Sequence, residues 1–232
     1  MVRGRGRGGA ARTRQLADLR GWEALAHGVF AIALTLLVLD IRVPDAGSVH
    51  SGAELVDALV AEMPRYVAYV LGFVVLGEYW IHMQRTMGLL RGIDHWALVL
   101  GLVFLMVVAT IPFPTGLLAE FIGQDGGQQQ VALAVFVGWQ LVLAILANAQ
   151  MHYAARRGLL KPEVSASSLR PWFLVAGLGV VIWLVALVAV FLVSGTIALV
   201  LIGAILVLFA FEMPIRPAVA EGEAHRRDPE MR

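Results

Sequence analysis

Apolar residues form six long runs along the chain, separated by shorter polar segments. The runs cover residues 25–43, 65–83, 95–118, 131–153, 171–193 and 195–213. Each run is close to the roughly 20 residues that an α-helix needs to cross the hydrocarbon core of a bilayer. The pattern therefore predicts an all-α, polytopic membrane protein with six transmembrane helices.

Two features between and within these runs predict further structure. In the segment 44–63, Leu55, Leu59 and Met63 recur at helical spacing, which indicates a short amphipathic helix at the membrane interface. Pro112 and Pro114 fall near the outer end of the third run, where a proline is expected to end or kink a helix. The polar segment 154–170 separates the first four runs from the final pair.

Composition agrees with a membrane location. The 232 residues are 59% hydrophobic and 15% charged, with a mean hydropathy of +0.77, whereas soluble domains carry about 25% charged residues. The chain has no cysteine, which excludes disulfides, thiolate metal sites and cysteine nucleophiles.

The basic residues are distributed unevenly between the two sides of the predicted bundle. The outer segments contain Arg42 and Arg65 among several acids, whereas the side of the N-terminus contains Arg3, Arg5, Arg7, Arg12, Arg14, Arg20, Arg85, Arg91, Arg156, Arg157, Lys161, Arg170, Arg216, Arg226, Arg227 and Arg232. Lysine and arginine favour the cytoplasmic side, so both termini are predicted to be cytoplasmic and the membrane to be the plasma membrane.

The same reasoning divides the chain into three parts. Residues 1–20 are predicted to be a disordered basic tail, residues 21–214 the six-helix transmembrane domain, and residues 215–232 a cytoplasmic tail. The basic tail has two interpretations, nucleic-acid binding and attraction to an anionic lipid leaflet. The lipid interpretation is favoured, and no nucleic-acid partner is expected.

The first predicted helix has an ordered face. Ile32, Leu36 and Leu39 share one side at spacings i, i+4 and i+7, with Thr35 beside them. Such a stripe has two interpretations. It packs against neighbouring helices, or it lines a pore in which stacked aliphatic rings form narrow constrictions.

Three stretches resemble the transmembrane protein 175 family of potassium channels. GVFAIALTLLVLDI at 28–41 is similar to the family's first helix, YVLGFVVLGEYWIHMQR at 69–85 to its second, and IDHWALVLGLVFLMVVATIPFPTGLLAEF at 93–121 to its third. The resemblance implies a homotetrameric, potassium-permeable channel without a cofactor, in which the first helices surround a central pore. Carried over by position, its hydrophobic filter consists of Ile32, Leu36 and Leu39, with Thr35 near the first layer.

The chain departs from the family's pattern directly before this helix. The family's Arg-x-x-x-Phe-Ser-Asp hallmark is replaced, with Gly21 at the arginine position and Leu25-Ala26-His27 in place of Phe-Ser-Asp. An asparagine often present in the third helix is replaced by Gly101. Much of the polar scaffold that holds the first helix in the family is therefore missing here.

A replacement network is predicted at the cytoplasmic side. An intramembrane acid is costly and usually has a partner, and similar depths in the membrane predict an ion pair between His27 and Glu78. The predicted helix-anchoring network comprises Arg20, His27, Glu78, Trp80, His82 and Asp94. Histidine titrates near neutral pH, so conduction is expected to respond to cytoplasmic pH. The alternative is that Glu78 reaches the interface and His27 is merely interfacial.

Three classes of function remain open at this point. The first is a passive, potassium-permeable channel, and the second is a non-conducting structural or regulatory relative. A transporter is disfavoured because no broken helices or inverted repeat are visible. An enzyme or metal site is not expected, since no metal-binding motif and no nucleophile beside a base is present.

Overall fold

The computed structural model describes residues 19–124, 127–164, 166–193 and 195–211. Within these ranges the chain is helical, apart from connecting segments and one bridge pair between Leu90 and Leu160. The elements in chain order are α1 (Leu19–Leu36), a 3₁₀ helix (Leu37–Asp40), α2 (Gly52–Ala61), α3 (Met63–Leu89), α4 (His95–Ala109), α5 (Pro112–Phe121), α6 (Gln128–Arg156), α7 (Ala166–Leu192) and α8 (Gly195–Phe211).

Five helical segments of the described chain are long and apolar enough to cross a membrane. They are Leu19–Asp40, Met63–Leu89, His95–Phe121, Gln128–Arg156 and Leu169–Leu192, and they correspond to the first five predicted spans. The sixth predicted span corresponds to α8, which has 17 described residues. The all-helical membrane fold is confirmed, and the count of six spans stays a prediction.

The predicted tails lie largely outside the described residues. Of the basic tail predicted at 1–20, Leu19 and Arg20 are described, and both belong to the first turn of α1. The C-terminal tail predicted at 215–232 lies wholly outside the described ranges.

The third span is divided at its prolines, as predicted. Helix α4 ends at Ala109, and α5 begins at Pro112, after Thr110 and Ile111. Proline is well tolerated in the first turn of a helix, because that turn has no intrahelical acceptor for the missing N–H. The indole Nε1 of Trp139 donates a 3.1 Å hydrogen bond to the Thr110 hydroxyl, which ties this break to α6.

The short helix predicted between the first two spans is present as α2. Its N-cap is Ser51, whose hydroxyl accepts a hydrogen bond from the Glu54 N–H, and the Glu54 carboxylate accepts one from the His50 N–H at 2.7 Å. These reciprocal contacts resemble a capping box, which satisfies free donors at the start of a helix. No side chain of α2 is buried, so its apolar residues are not covered by the described part of the chain.

Two large apolar clusters and a small one around Met151 and Trp172 hold the described helices together. The first joins α1, α3, α4 and α6 around Phe30, Leu76 and Phe104. The second joins α3, α5, α6, α7 and α8 and includes Phe136 and Ile202. Helix α1 therefore belongs to the first cluster, where it packs mainly against α4 and α3.

The segment that connects α3 with α4 and the segment that connects α6 with α7 meet at one end of the bundle. The Arg91 N–H donates to the Leu159 carbonyl and the Lys161 N–H to the Leu89 carbonyl, both at 2.9 Å. These basic residues thus share one end of the bundle, as the charge pattern predicts. That this end faces the cytoplasm stays a prediction.

Candidate pore helix

Helix α1 and its 3₁₀ extension have one buried face. Trp22, Ala26, Phe30, Ala33 and Leu37 recur every three or four residues, and each is almost fully buried. Side chains at this spacing lie on one side of a helix. Their packing against α3 and α4 sets the rotation of α1 about its axis.

The other face of this segment is uncovered and aliphatic. The exposed fractions are 62% for Ile32, 40% for Leu36 and 72% for Leu39, and Thr35 between them is also exposed. The Thr35 hydroxyl donates a 2.8 Å hydrogen bond to the Ile32 carbonyl. Within the described chain this stripe is therefore not covered by neighbouring helices, so it can face lipid, another copy of the chain or a water-filled pore.

The helix tightens along this stripe. The predicted spacing assumed a continuous α-helix as far as Asp40, whereas the α-helix ends at Leu36 and residues Leu37–Asp40 form a 3₁₀ helix. In 3₁₀ geometry, side chains three residues apart eclipse one another. Leu36 and Leu39 can therefore remain on one side despite the change in pitch.

A close contact with α4 holds the N-terminal part of α1. A Cβ atom placed on Gly101 would lie 2.6 Å from the Cη2 atom of Trp22, well inside van der Waals contact. Gly101 therefore leaves the space that the buried Trp22 ring occupies. The sequence marked Gly101 as a departure from the family, but the Trp22 partner was missed because nothing local connects two residues so far apart.

Two further glycines allow close packing at the other end. A Cβ on Gly72 of α3 would lie 2.8 Å from the Thr115 hydroxyl oxygen and 3.3 Å from the Leu37 Cδ2 atom. A Cβ on Gly116 of α5 would lie 3.0 Å from an Asp40 carboxylate oxygen. Helices α3 and α5 thus approach the 3₁₀ segment through positions without a side chain.

The structure places His27 and Glu78, the predicted ion pair, in different surroundings. No ion pair joins these residues in the described chain; the His27 ring instead lies 6.5 Å from the Trp80 ring, centroid to centroid. Glu78 lines a cavity between α3, α6 and α7. Residues two apart on a helix point about 200° apart, so contact with Trp80 and contact with Glu78 occur on different sides of α3. The pH response expected from this pair loses its structural basis.

The other members of the predicted network also lie apart. Arg20 is exposed at the start of α1. The His82 ring packs on Trp172 of α7 at 5.2 Å, and its Nε2 atom is buried without a hydrogen-bond partner among the described residues. Across the described ranges, no group of three or more His, Asp or Glu side chains is arranged to hold a metal ion.

Asp94 is the centre of a different anchoring cluster. It caps α4, where its Oδ1 atom accepts a 2.9 Å hydrogen bond from the Ala97 N–H. Its Oδ2 atom accepts a 3.0 Å bond from the Tyr153 hydroxyl of α6, and the Arg157 Nε atom lies 3.8 Å away. Tyr153 and Arg157 were not predicted, although their spacing of one helical turn at the end of a span was a usable signal.

A second charged cluster at the opposite end was also missed. Arg65 contacts Glu62 at 2.6 Å and Glu120 at 2.7 Å, and its side chain is 15% exposed. The more exposed Arg42 lies 3.4 Å from the same Glu120 carboxylate. These contacts connect the start of α3 and the end of α5 with the segment that follows the 3₁₀ helix.

The fold and this helix define a multi-pass α-helical membrane protein whose first helix has an uncovered aliphatic face. The family model described as "Endosomal/lysosomal potassium channel TMEM175" matches residues 22–112, a region that contains α3, α4 and most of α1. The chain belongs to the TMEM175 family of membrane channels. This confirms the family resemblance of the three stretches.

Individual relatives agree with this assignment. A potassium channel of Streptomyces collinus is 39% identical over 149 residues, which are 64% of this chain and 70% of the relative. The crystal structure of a lysosomal potassium-selective channel TMEM175 homolog from Chamaesiphon minutus matches with a TM-score of 0.73 and 31% identity, covering 84% of this chain and 97% of that one. The human endosomal/lysosomal proton channel TMEM175 is 41% identical over 84 residues, which are 30% of this chain and 17% of that protein.

Proposed function

We propose that this chain is a potassium-permeable channel of the plasma membrane, with copies of α1 surrounding a central pore. The observation that carries the proposal is the uncovered stripe of Ile32, Thr35, Leu36 and Leu39 on a helix whose opposite face is almost fully packed. Family membership supports this interpretation, since the relatives from Streptomyces collinus and Chamaesiphon minutus are potassium channels by name.

Permeation would be passive and controlled by side chains. Rings of Ile32, Leu36 and Leu39 from the surrounding copies would form successive constrictions, which control ion passage through pore radius and wetting. The Thr35 hydroxyl uses its proton within its own helix. Its oxygen lone pairs are then the acceptors that it can offer to a passing cation beside the first constriction.

The assembly proposed is a homotetramer with both termini in the cytoplasm. The tetramer follows from the family resemblance, and the orientation from the concentration of basic residues at the end that contains Arg91 and Lys161. The mass of the purified complex in nanodiscs tests the first statement. Protease accessibility of the termini in sealed vesicles tests the second.

The deciding experiment is an ion-flux assay on the full chain in liposomes with opposed potassium and sodium gradients. Ile32→Asn places an amide in the proposed first constriction and is expected to change the potassium-to-sodium permeability ratio. Val181→Asn is the matched control, because Val181 lies on α7 with a similar exposed fraction of 53% and the change in polarity is the same. An unchanged ratio in folded Ile32→Asn channels would refute the assignment of the filter.

Two other outcomes correct the proposal in different ways. The human relative is named a proton channel, so the assay includes a pH-sensitive dye under a proton gradient. Proton flux without potassium flux would change the permeant ion but keep the pore. The absence of both fluxes from folded oligomers would favour the non-conducting relative, which the replaced residues Gly21, Leu25, Ala26 and His27 make a specific alternative.

A further inference from the structure

The segments that follow α3 and α6 are joined as a short antiparallel bridge. Leu90 pairs with Leu160, and the backbone hydrogen bonds of Arg91 and Lys161 flank the pair, each at 2.9 Å. The Leu90 side chain is buried in the first apolar cluster, and Leu160 packs against that cluster. The bridge is therefore held by side-chain packing as well as by its backbone, so Arg91 and Lys161 belong to one structured surface.

A glycine directs the chain from α6 into the bridge. Gly158 has a φ of 63°, in the left-handed region. Its N–H donates to the Ala155 carbonyl at 3.3 Å, and the Leu159 N–H donates to the Ala154 carbonyl at 2.9 Å. These two bonds form a Schellman motif, a common end of an α-helix. The Arg91 Nη2 atom lies 4.0 Å from the position of a Cβ on Gly158, so the guanidinium is beside the end of α6.

Cations outnumber acids at this bridge. The exposed basic side chains are Arg91, Arg156, Arg157 and Lys161. The Asp94 carboxylate is already engaged by the Ala97 N–H, the Tyr153 hydroxyl and Arg157. Among the described residues, no carboxylate pairs with Arg91, Arg156 or Lys161. The surface therefore has positive charge available for an anionic partner.

The bounds of the spans place the bridge at the level of the lipid headgroups. The spans Met63–Leu89 and Gln128–Arg156 end within a few residues of it, and the span His95–Phe121 begins shortly after Arg91. Trp96, at the start of that span, is 60% exposed, and tryptophan is enriched at membrane–water interfaces. A basic surface at this level meets the phosphate groups of the bilayer.

We propose that this bridge binds the headgroup of an anionic phospholipid. The Arg91 guanidinium would donate two hydrogen bonds to phosphate oxygens, and the Lys161 ammonium would provide a second positive charge. Basic surfaces between transmembrane helices bind anionic headgroups in this way. A zwitterionic headgroup carries its own cation beside the phosphate and gains less from the surface. A free phosphate lacks the acyl chains that keep a lipid at this level.

The test is native mass spectrometry of the full chain released from vesicles with equal amounts of phosphatidylglycerol and phosphatidylcholine. The measured quantity is the ratio of chains that retain the anionic lipid to chains that retain the zwitterionic one, and the wild type is expected to favour phosphatidylglycerol. Lys161→Gln is expected to lower this ratio about fivefold, and Arg91→Gln with Lys161→Gln about 25-fold or until it approaches one. Arg157 is left unchanged, because it contacts Asp94 and Tyr153.

Arg20→Gln with Arg170→Gln is the matched control. Both arginines are exposed, the same charge is removed, and neither residue belongs to the bridge. The control is expected to keep the wild-type ratio, and circular dichroism checks that both double variants are folded. A wild-type ratio near one would overturn the proposal. The same loss in both double variants would also overturn it, because it would show diffuse attraction of basic residues to the bilayer.

Soluble glycerol phosphate distinguishes a lipid from a free anion. Added in excess before release from the vesicles, it is expected to leave the retained phosphatidylglycerol unchanged. Complete displacement would show that the surface recognises the free anion, which would overturn the proposal. The measurement involves no ion flux, so its outcome is independent of whether the chain conducts potassium.

Discussion

Replacing Gly101 by alanine is expected to destabilise the packing of α1 on α4. The new Cβ would lie 2.6 Å from Cη2 and 3.3 Å from Cε2 of the Trp22 ring, which is almost fully buried. Ordinary carbon contacts are about 3.5–4.0 Å, so the ring or the helix must move by about 1 Å. Overpacking costs about 1–3 kcal/mol, and because the contact is with rigid atoms of a buried ring we expect about 2–3 kcal/mol here. This cost exceeds the gain of about 1 kcal/mol when alanine replaces a helical glycine.

The assay is thermal unfolding of purified Gly101→Ala in nanodiscs. A net loss of about 1–2 kcal/mol lowers the midpoint of a chain of this length by roughly 2–8 °C. Gly77→Ala on α3 is the control, because a Cβ there meets no atom within 4 Å, and it should unfold at or above the wild-type temperature. Trp22→Phe removes the part of the ring that clashes, so in that background Gly101→Ala should cost at least 0.5 kcal/mol less. A wild-type midpoint for Gly101→Ala, or an equal loss in both backgrounds, would refute the reasoning.

Two further predictions concern the polar clusters at the two ends of the bundle. Tyr153→Phe removes the 3.0 Å hydrogen bond to Asp94 and should lower the free energy of unfolding by about 1 kcal/mol. Urea titration measures this loss. An unchanged unfolding midpoint would mean that the bond does not hold α6 to α4. Arg65→Gln should destabilise the chain more than Arg42→Gln in parallel thermal melts, because Arg65 is mostly buried between carboxylates while Arg42 is exposed and contacts Glu120 at 3.4 Å. Equal losses would contradict that ranking.

The positions of the helices were predictable because they depend on local features of the sequence. A run of apolar residues of bilayer length predicts a span whatever it packs against, and the break at Pro112 follows from the missing proline N–H. The start of α4 at Asp94 and the short helix after Ser51 depend on capping within a few residues. Such features need no knowledge of tertiary structure.

The contacts between helices were not predictable in the same way. The depths of His27 and Glu78 in the membrane could be counted from the sequence, but the rotation of α3 about its axis could not, and that rotation turns Glu78 towards α6 and α7. The pairing of Trp22 with Gly101 likewise depends on how two distant helices meet. A single sequence gives no information on which residues of two different helices come into contact, although it did mark Gly101 as unusual.

The position of α1 in this chain depends on shape more than on charge. Helices in a bilayer gain little from the hydrophobic effect and associate through close packing at small residues. Gly101 admits the Trp22 ring at one end, and Gly72 admits Leu37 and Thr115 at the other. The contact of Trp22 with Gly101 has no titratable group, whereas the aspartate implied by the family hallmark does. The uncharged contact of Trp22 with Gly101 therefore contributes to the rotation of the N-terminal half of α1, and hence to the direction in which Ile32 points.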